Sequence, residues 1–425
     1  MNDTLQKVLI IGLIWPEPDA TAAGARTFQI IQFFKEQGYH ITFSSASAKT
    51  SYSASMEELD IDTVPITLNH LSFDHFIKEL KPQIVIFDRF LTEEHYGWRV
   101  AQKLPQTIRI IDTQDLHSLR KSREKALKEG IAFTSSYWLR QELTKRELAS
   151  IFRSDLSLII SSFEIDWLRK HTPIDPSLLC YLPFVLNDKE AVSIDSETNF
   201  EERSDFVFIG NGKHGPNIDA IEYLKRSIWP LILKKLPQAT LHIYGAYLPQ
   251  KIMAFQNPKE GILVHGWVKD AKKMMSKTRV NLVPLRYGAG LKGKLFLAAT
   301  SGTPSVVSSI GAEGTHLENM SDLIGMEVDD FAEKAVALYQ DGELWYRRQQ
   351  QAYKVLRTHF EKKENESNFS KALQNLKQDL LVHRDHNIIG GMLMHHSMAS
   401  TKYLSKWIAL KQDSEKRKED GNPIL

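Results

Sequence analysis

Short apolar runs alternate with longer helical patterns along this chain, and the alternation starts twice. Val8-Leu-Ile-Ile-Gly-Leu-Ile-Trp15 has strand length and stops at Pro16-Glu-Pro18; a helix with a wide apolar face follows at Phe28, Ile30, Ile31, Phe33 and Phe34. Gly38 ends that helix, and His40-Ile-Thr-Phe-Ser44 has the composition of a second strand. Strand, crossover helix and strand in this order specify a parallel sheet. The cycle repeats through a helix near Phe73–Leu80, strand Ile84–Phe87, a helix near Glu94–Lys103, strand Ile108–Ile111, a charged helical region over Leu116–Ile151, strand Leu156–Ser161, helix Glu164–Lys170 and a last strand from Leu179. After the polar stretch Asn187–Ser204 it begins afresh: strand Phe206–Ile209, helix Ile218–Leu236, strands Ala239–Tyr244 and Ile262–His265, helix Lys269–Lys277 and strand Val280–Leu285. Two doubly wound α/β domains facing one another enclose a cleft, and past Asp330 the chain is helical.

The length supports this division, since 425 residues exceed one ordinary core. The expected layout is an N-terminal Rossmann-like domain over 1–186, a linker over 187–204, a second Rossmann-like domain over 205–375, C-terminal helices over 376–410 packing back toward the first domain, and a polar tail over 411–425. With 54 basic against 52 acidic residues there is no global field to recruit nucleic acid. The single cysteine, Cys180, rules out an intramolecular disulfide framework and fits a reducing, cytoplasmic compartment. No run reaches the roughly 18 to 20 apolar residues of a spanning helix. Lys402, Lys406, Trp407 and Lys411 suit either a helix packed across both domains or an amphipathic helix making peripheral contact at the inner face of a membrane.

The chemistry concentrates in Leu285-Arg-Tyr-Gly-Ala-Gly-Leu-Lys-Gly-Lys294. Gly288, Gly290 and Gly293 among Arg286, Lys292 and Lys294, placed between a strand and a helix, describe a loop that offers backbone N–H groups and cations to an anion. A diphosphate is the natural ligand. The next apolar run, Pro304-Ser-Val-Val307, leads to Gly311 and Gly314 on either side of Glu313, and loops at the carboxyl ends of successive strands form one wall of a ligand crevice.

These residues carry a resemblance. Gly288-Ala-Gly-Leu-Lys-Gly-Lys-Leu-Phe-Leu-Ala298 resembles the glycine–lysine segment of family four glycosyltransferases of the GT-B fold, glycosyl transferases group 1. Phe208-Ile-Gly210, with the later His-Gly-Pro-Asn-Ile-Asp219, is similar to the first strand and loop of that family's C-terminal domain. The resemblance covers roughly residues 5–360. It implies transfer of a sugar from a nucleotide-sugar donor, a co-substrate rather than a cofactor, to a glycan, lipid-linked or protein acceptor, in surface polysaccharide or glycoconjugate assembly. Retention of configuration without a bound metal is implied as well. Gly210, Arg286, Gly288, Gly290, Leu291, Lys292, Gly293, Lys294, Glu313 and Gly314 are then the expected donor side, with Lys292 neutralising the leaving diphosphate. Asp115 and His117, after the strand Ile108–Ile111, are expected to orient the sugar or assist proton removal. Gly24, Arg26, Arg89 and Glu93 are expected to line the acceptor side. One position departs from the pattern: Leu297 stands where the family places a glutamate that holds the ribose hydroxyls, and leucine cannot accept those hydrogen bonds.

Two other functions remain open on the sequence, a non-catalytic nucleotide-sugar or glycan-binding protein and a sugar-nucleotide epimerase. Neither Asp60-Ile-Asp62 nor the histidines 383, 386, 395 and 396 have the spacing of a metal site, so no metal is expected.

Overall fold

The computed structural model describes residues 6–186, 199–318, 320, 323–325 and 327–419. Seven parallel strands form the first sheet: β1 (Lys7–Gly12), β2 (His40–Ser45), β3 (Asp62–Pro65), β4 (Ile84–Asp88), β5 (Ile108–Asp112), β6 (Leu156–Ile159) and β7 (Leu179–Tyr181), in the order β3-β2-β1-β4-β5-β6-β7. Five form the second: β8 (Ser204–Ile209), β9 (Leu241–Tyr244), β10 (Ile262–Gly266), β11 (Thr278–Val283) and β12 (Ser305–Val307), in the order β10-β9-β8-β11-β12. Every pairing between these strands is parallel. Strands β4, β5 and β6 are buried at every position, as continuous apolar runs covered by helices on both faces must be.

Strand order reverses between β1 and β4 in the first sheet and between β8 and β11 in the second. Crevices of open α/β sheets lie at such reversals, outside the carboxyl ends of the strands. The loops that follow β1, β8 and β11 are therefore the ones the topology places against a ligand, and the Gly288–Lys294 segment is one of them.

The strand pattern departs from the sequence expectation at β3. Its residues are exposed or half-buried at the edge of the sheet, so no apolar run marks it, and Pro65 is tolerated there because an edge strand leaves one side unpaired. Asp62 lies in this strand. Two expected helices contain a one-turn widening, at Glu93–Gly97 and at Leu224–Ile228.

The chain also returns to the first sheet earlier than the 375/376 boundary expected from sequence. The Gly342–His359 helix packs on the second domain, but the next helix, Lys362–His386, buries Phe369, Leu373, Leu376 and Leu380 with Ile30, Phe33, Phe34, Ile110 and Leu158 of the first. The crossing falls at Phe360, whose carbonyl accepts from Leu186 N at 2.6 Å, beside a parallel bridge between Leu186 and Glu361. The last helix, Ile388–Glu419, runs past the expected start of the tail at 411. Residues 187–198 of the expected linker and 420–425 of the tail lie outside the described residues.

Candidate functional site

The two domains meet across the glycine–lysine loop. Gly290 has φ +67°, and a Cβ added there would lie 2.7 Å from Asp115 Cβ on the opposite domain. Only glycine permits that approach in that conformation. Gly293 is equally tight, since an added Cβ would lie 2.6 Å from Ala22 Cβ. At Gly314, φ +72°, Ser161 Oγ of the first domain fills the space a side chain would need.

Charged groups bridge the same seam. Arg123 of the first domain donates to both carboxylate oxygens of Glu313, at 2.6 and 2.7 Å, and to the carbonyl of Gly288 at 2.8 Å. Glu164, fully buried, accepts from Leu116 N at 2.8 Å and from Gly290 N at 2.7 Å. Burial, then the neighbouring Asp115 carboxylate, push its carboxyl up to about 8.

On the C-terminal side, Lys292 is the residue before the Gly293–Thr300 helix, whose N-terminus has no side-chain cap. Its Nζ donates to Gly290 O at 2.9 Å, and burial draws its ammonium below the usual lysine range. Lys294 Nζ lies 2.6 Å from Asn217 Oδ1 and 4.0 Å from the centre of the Phe208 ring; burial, followed by Lys292, draws it down to about 7. An uncapped helix start flanked by two lysines that lack carboxylate hydrogen-bond partners is suited to an anion. Arg286 differs, being tied outward to Asp219 and 42% exposed. Gly210 packs against the Asn217 side chain, and Leu291 is buried among Ile160, Phe184 and Leu356.

Across the seam, Asp115 is held by Arg120 at 2.6 and 3.3 Å and by His117 Nε2 at 3.0 Å. Burial opposes its ionisation, but Arg120 and His117 outweigh burial and hold it well below the usual carboxylate range. A carboxylate bound in this way orients His117 rather than taking a proton itself. The helix that begins at His117 receives its N-terminal cap from a distant chain position, with His117 N and Ser118 N donating to the two oxygens of Glu147 at 2.8 Å.

Sequence inspection missed several groups that converge here. His214 precedes the Gly215–Tyr223 helix, and burial, then Arg120, draw its imidazole down to about 3, so it is neutral near pH 7. Arg120, Asp115, Lys294 and His117 all act on it. Arg123 and Glu164 were missed because each has its partner on the other domain.

Of the four residues expected on the acceptor side, Gly24 lies beside the seam, against Glu17, while the side chains of Arg26, Arg89 and Glu93 are bound within the first domain. Arg26 is 1% exposed, bound to Asp112 at 2.8 Å and to Leu182 O at 2.5 Å. Glu93, also 1% exposed, is bound at 3.0 and 2.5 Å by Arg153. The first pair ties a helix to strand β5, and the second ties two helices of the first domain together. Arg89, at φ +71°, donates to its neighbour Asp88 at 2.8 Å. Gly24 lets its helix approach the backbone of Glu17, where an added Cβ would lie 2.4 Å away.

A second contact lies further along the cleft. The buried Glu17 accepts from Tyr247 of the second domain at 2.7 Å, and Trp267 donates to Asp19 O at 3.0 Å. Leu297 packs with Val207, Ile209, Tyr244, Met274 and Met275, so the departure from the family pattern leaves an apolar surface there. Two surface hollows, of about 560 and 380 Å³, lie on Asp205, His242 and Lys273 and on Arg109, Arg384 and His395; neither is lined by the glycine–lysine loop. Among the described residues no group of three or more His, Cys, Asp or Glu is arranged to hold a metal ion, and no helix is long and apolar enough to cross a membrane.

Residues 203–341 match the family described as Glycosyl transferases group 1. No curated protein sequence matches the chain. Among solved structures, sucrose-phosphate synthase from Thermosynechococcus elongatus is 15% identical with a TM-score of 0.64, over 87% of this chain and 99% of that one. HepE from Anabaena, solved with UDP and glucose, is 11% identical with a TM-score of 0.59, over 87% and 100%. A TarM mutant from S. aureus, solved with Fondaparinux, alpha-GlcNAc-glycerol and UDP, is 12% identical with a TM-score of 0.54; the match spans 70% of this chain but only 57% of that one. At these identities the likeness is one of fold.

Proposed function

We propose, from the premise that the chain is a GT-B glycosyltransferase whose residues 203–341 form a glycosyl transferases group 1 domain, that the diphosphate of a nucleotide sugar binds at the Gly288–Lys294 loop. The observation that carries this is the pair of lysines, Lys292 and Lys294, at the uncapped start of the Gly293–Thr300 helix. Both are partly desolvated and neither donates to a carboxylate. When the C1–O bond of the donor breaks, negative charge gathers on the leaving diphosphate; cations and amides already in position lower that barrier without reorganising. No step requires a metal, and the anomeric configuration is retained. UDP is the first nucleotide to try, because two proteins of the same fold have been solved with it.

His117, held by Asp115 and facing the seam beside His214, positions the transferred sugar. The acceptor enters between the domains and is a glycan or a lipid-linked precursor of a surface polysaccharide or glycoconjugate. A lipid-linked acceptor agrees with the last helix, where Tyr403, Leu404, Trp407 and Leu410 are each 58–67% exposed beside Lys406 and Lys411. Amphipathic surfaces of this composition lie on membranes, and co-sedimentation with anionic vesicles, lost in Trp407→Ser, tests the contact.

The donor site is tested by thermal stabilisation with a panel of nucleoside diphosphates and nucleotide sugars. A ligand at 100 times its dissociation constant adds about 2.7 kcal/mol. A shift with one nucleotide, abolished in Lys292→Ala, supports the placement. No shift with any of them rejects it.

A further inference from the structure

We infer that the carboxylate of Glu164 occupies the place of an anionic ligand group in the closed cleft, and that a diphosphate entering the glycine loop must displace it. Glu164 is then the residue that sets how tightly the donor's diphosphate is held, in an extension that rests on the donor placement proposed above.

The inference begins with a helix start that is not capped as its sequence directs. Ser161-Ser-Phe-Glu164 has the spacing of a capping box, in which the serine hydroxyl and the glutamate carboxylate would satisfy each other's backbone N–H groups. Neither does so. Ser161 makes no side-chain cap, and its buried Oγ has no hydrogen-bond partner. Glu164 turns away to bind Leu116 N of its own domain and Gly290 N of the other through a single oxygen, Oε1. Its second oxygen, Oε2, is buried without a partner.

A buried carboxylate is costly when one oxygen is unsatisfied. It is tolerated here because Oε1 sits where a backbone amide of the glycine loop points, and backbone amides at such a loop favour negative charge. Asp115, close by, adds repulsion, and Lys292 offers partial relief. The two unpartnered oxygens, Glu164 Oε2 and Ser161 Oγ, stand on the same helix start, whose Glu164 Oε1 binds Gly290 and whose Ser161 Oγ lies against Gly314. A diphosphate oxygen taking the Gly290 amide would release Glu164 to its own helix N-terminus, where the capping-box hydrogen bonds are waiting. The exchange gives up the Leu116 amide and gains the capping-box hydrogen bonds in its place, and it leaves the lysines to the ligand.

A structural staple and a displaceable anion predict opposite effects on affinity. Titration calorimetry of the full chain at pH 9, where a carboxyl raised to about 8 is ionised, with UDP, inorganic pyrophosphate and uridine compares wild type with Glu164→Gln, which keeps the acceptor oxygen and loses the charge, and with Glu164→Ala. The expected result is that UDP and pyrophosphate bind at least tenfold more tightly to Glu164→Gln, while uridine is unchanged. Diphosphate affinity equal to or weaker than wild type in Glu164→Gln overturns the inference. If wild type binds UDP, Lys292→Ala abolishes that binding and Glu164→Gln leaves it unaltered, the donor placement stands and the role of Glu164 falls. If no variant binds UDP or pyrophosphate, both fall. Glu164→Ala should follow Glu164→Gln in sign, so the test survives if either variant fails to fold.

Discussion

Arg123 grips Glu313 through two hydrogen bonds of 2.6 and 2.7 Å while also holding the Gly288 carbonyl, so one guanidinium of the first domain fixes two loops of the second. Both side chains are largely shielded, at 7% and 15% exposure. Removing one partner of such a pair strands the other charge, at a cost of about 3–5 kcal/mol. Arg123→Ala should therefore loosen closure: small-angle scattering of the unliganded protein should show a larger radius of gyration than wild type. An unchanged radius would assign closure to the Glu17–Tyr247 contact instead.

Lys294 gives the proposed donor site a pH dependence of definite sign. Its ammonium is drawn down to about 7, so it is charged below that pH and neutral above it. Nucleoside diphosphate affinity should fall as pH rises through 7, by about tenfold per unit over the interval in which only the bound form keeps the proton. Lys294→Met should flatten that part of the profile. Calorimetry between pH 6 and 8 decides the matter.

Glu93 and Arg153 form a buried pair that stabilises the first domain. Glu93→Ala should cost about 3–5 kcal/mol in denaturant unfolding, whereas Glu93→Leu with Arg153→Met should cost far less, because paired removal leaves no buried charge behind. Acceptor KM in the surviving fraction should be unaltered. A rise in acceptor KM without a loss of stability would return Glu93 to the acceptor side.

Cys180 lies in β7, buried, with its thiol pushed up to about 12 by burial. The thiolate is the reactive form, so the native protein should not react with a thiol reagent at pH 8, and the labelling rate should report opening of the first domain. Rapid labelling of the folded protein would place Cys180 at an accessible edge.

The parts of this molecule legible in its sequence are those with a local cause. Apolar runs such as Ile84–Phe87 can only be strands buried on both faces, and three glycines among cations can only be a loop exposing amides. The exposed edge strand Asp62–Pro65 has no such cause, because its pairing with β2 is supplied by the sheet. The site was half legible for the same reason. Lys292 and Lys294 announce themselves beside their glycines, but Glu164 reaches Gly290 across 126 positions and Arg123 reaches Glu313 across 190. Arg26, after a run of small residues, and Glu93, in a charged stretch, look available but are consumed by Asp112 and Arg153. Composition near a strand end shows that charges are present, and only the fold shows which of them remain unspent.

The side-by-side crossing at Leu186 and Glu361 has a mechanical consequence. Two bodies whose chain crossings lie side by side and are tied by one backbone bridge cannot slide far past one another at that point without breaking it, yet they can swing about it. The line through Leu186 and Phe360 is thus the spine of a book, and its covers are the two sheets. Away from that line Arg123 and Tyr247 act as clasps, and the chain's own connectivity fixes the axis of opening before any ligand arrives.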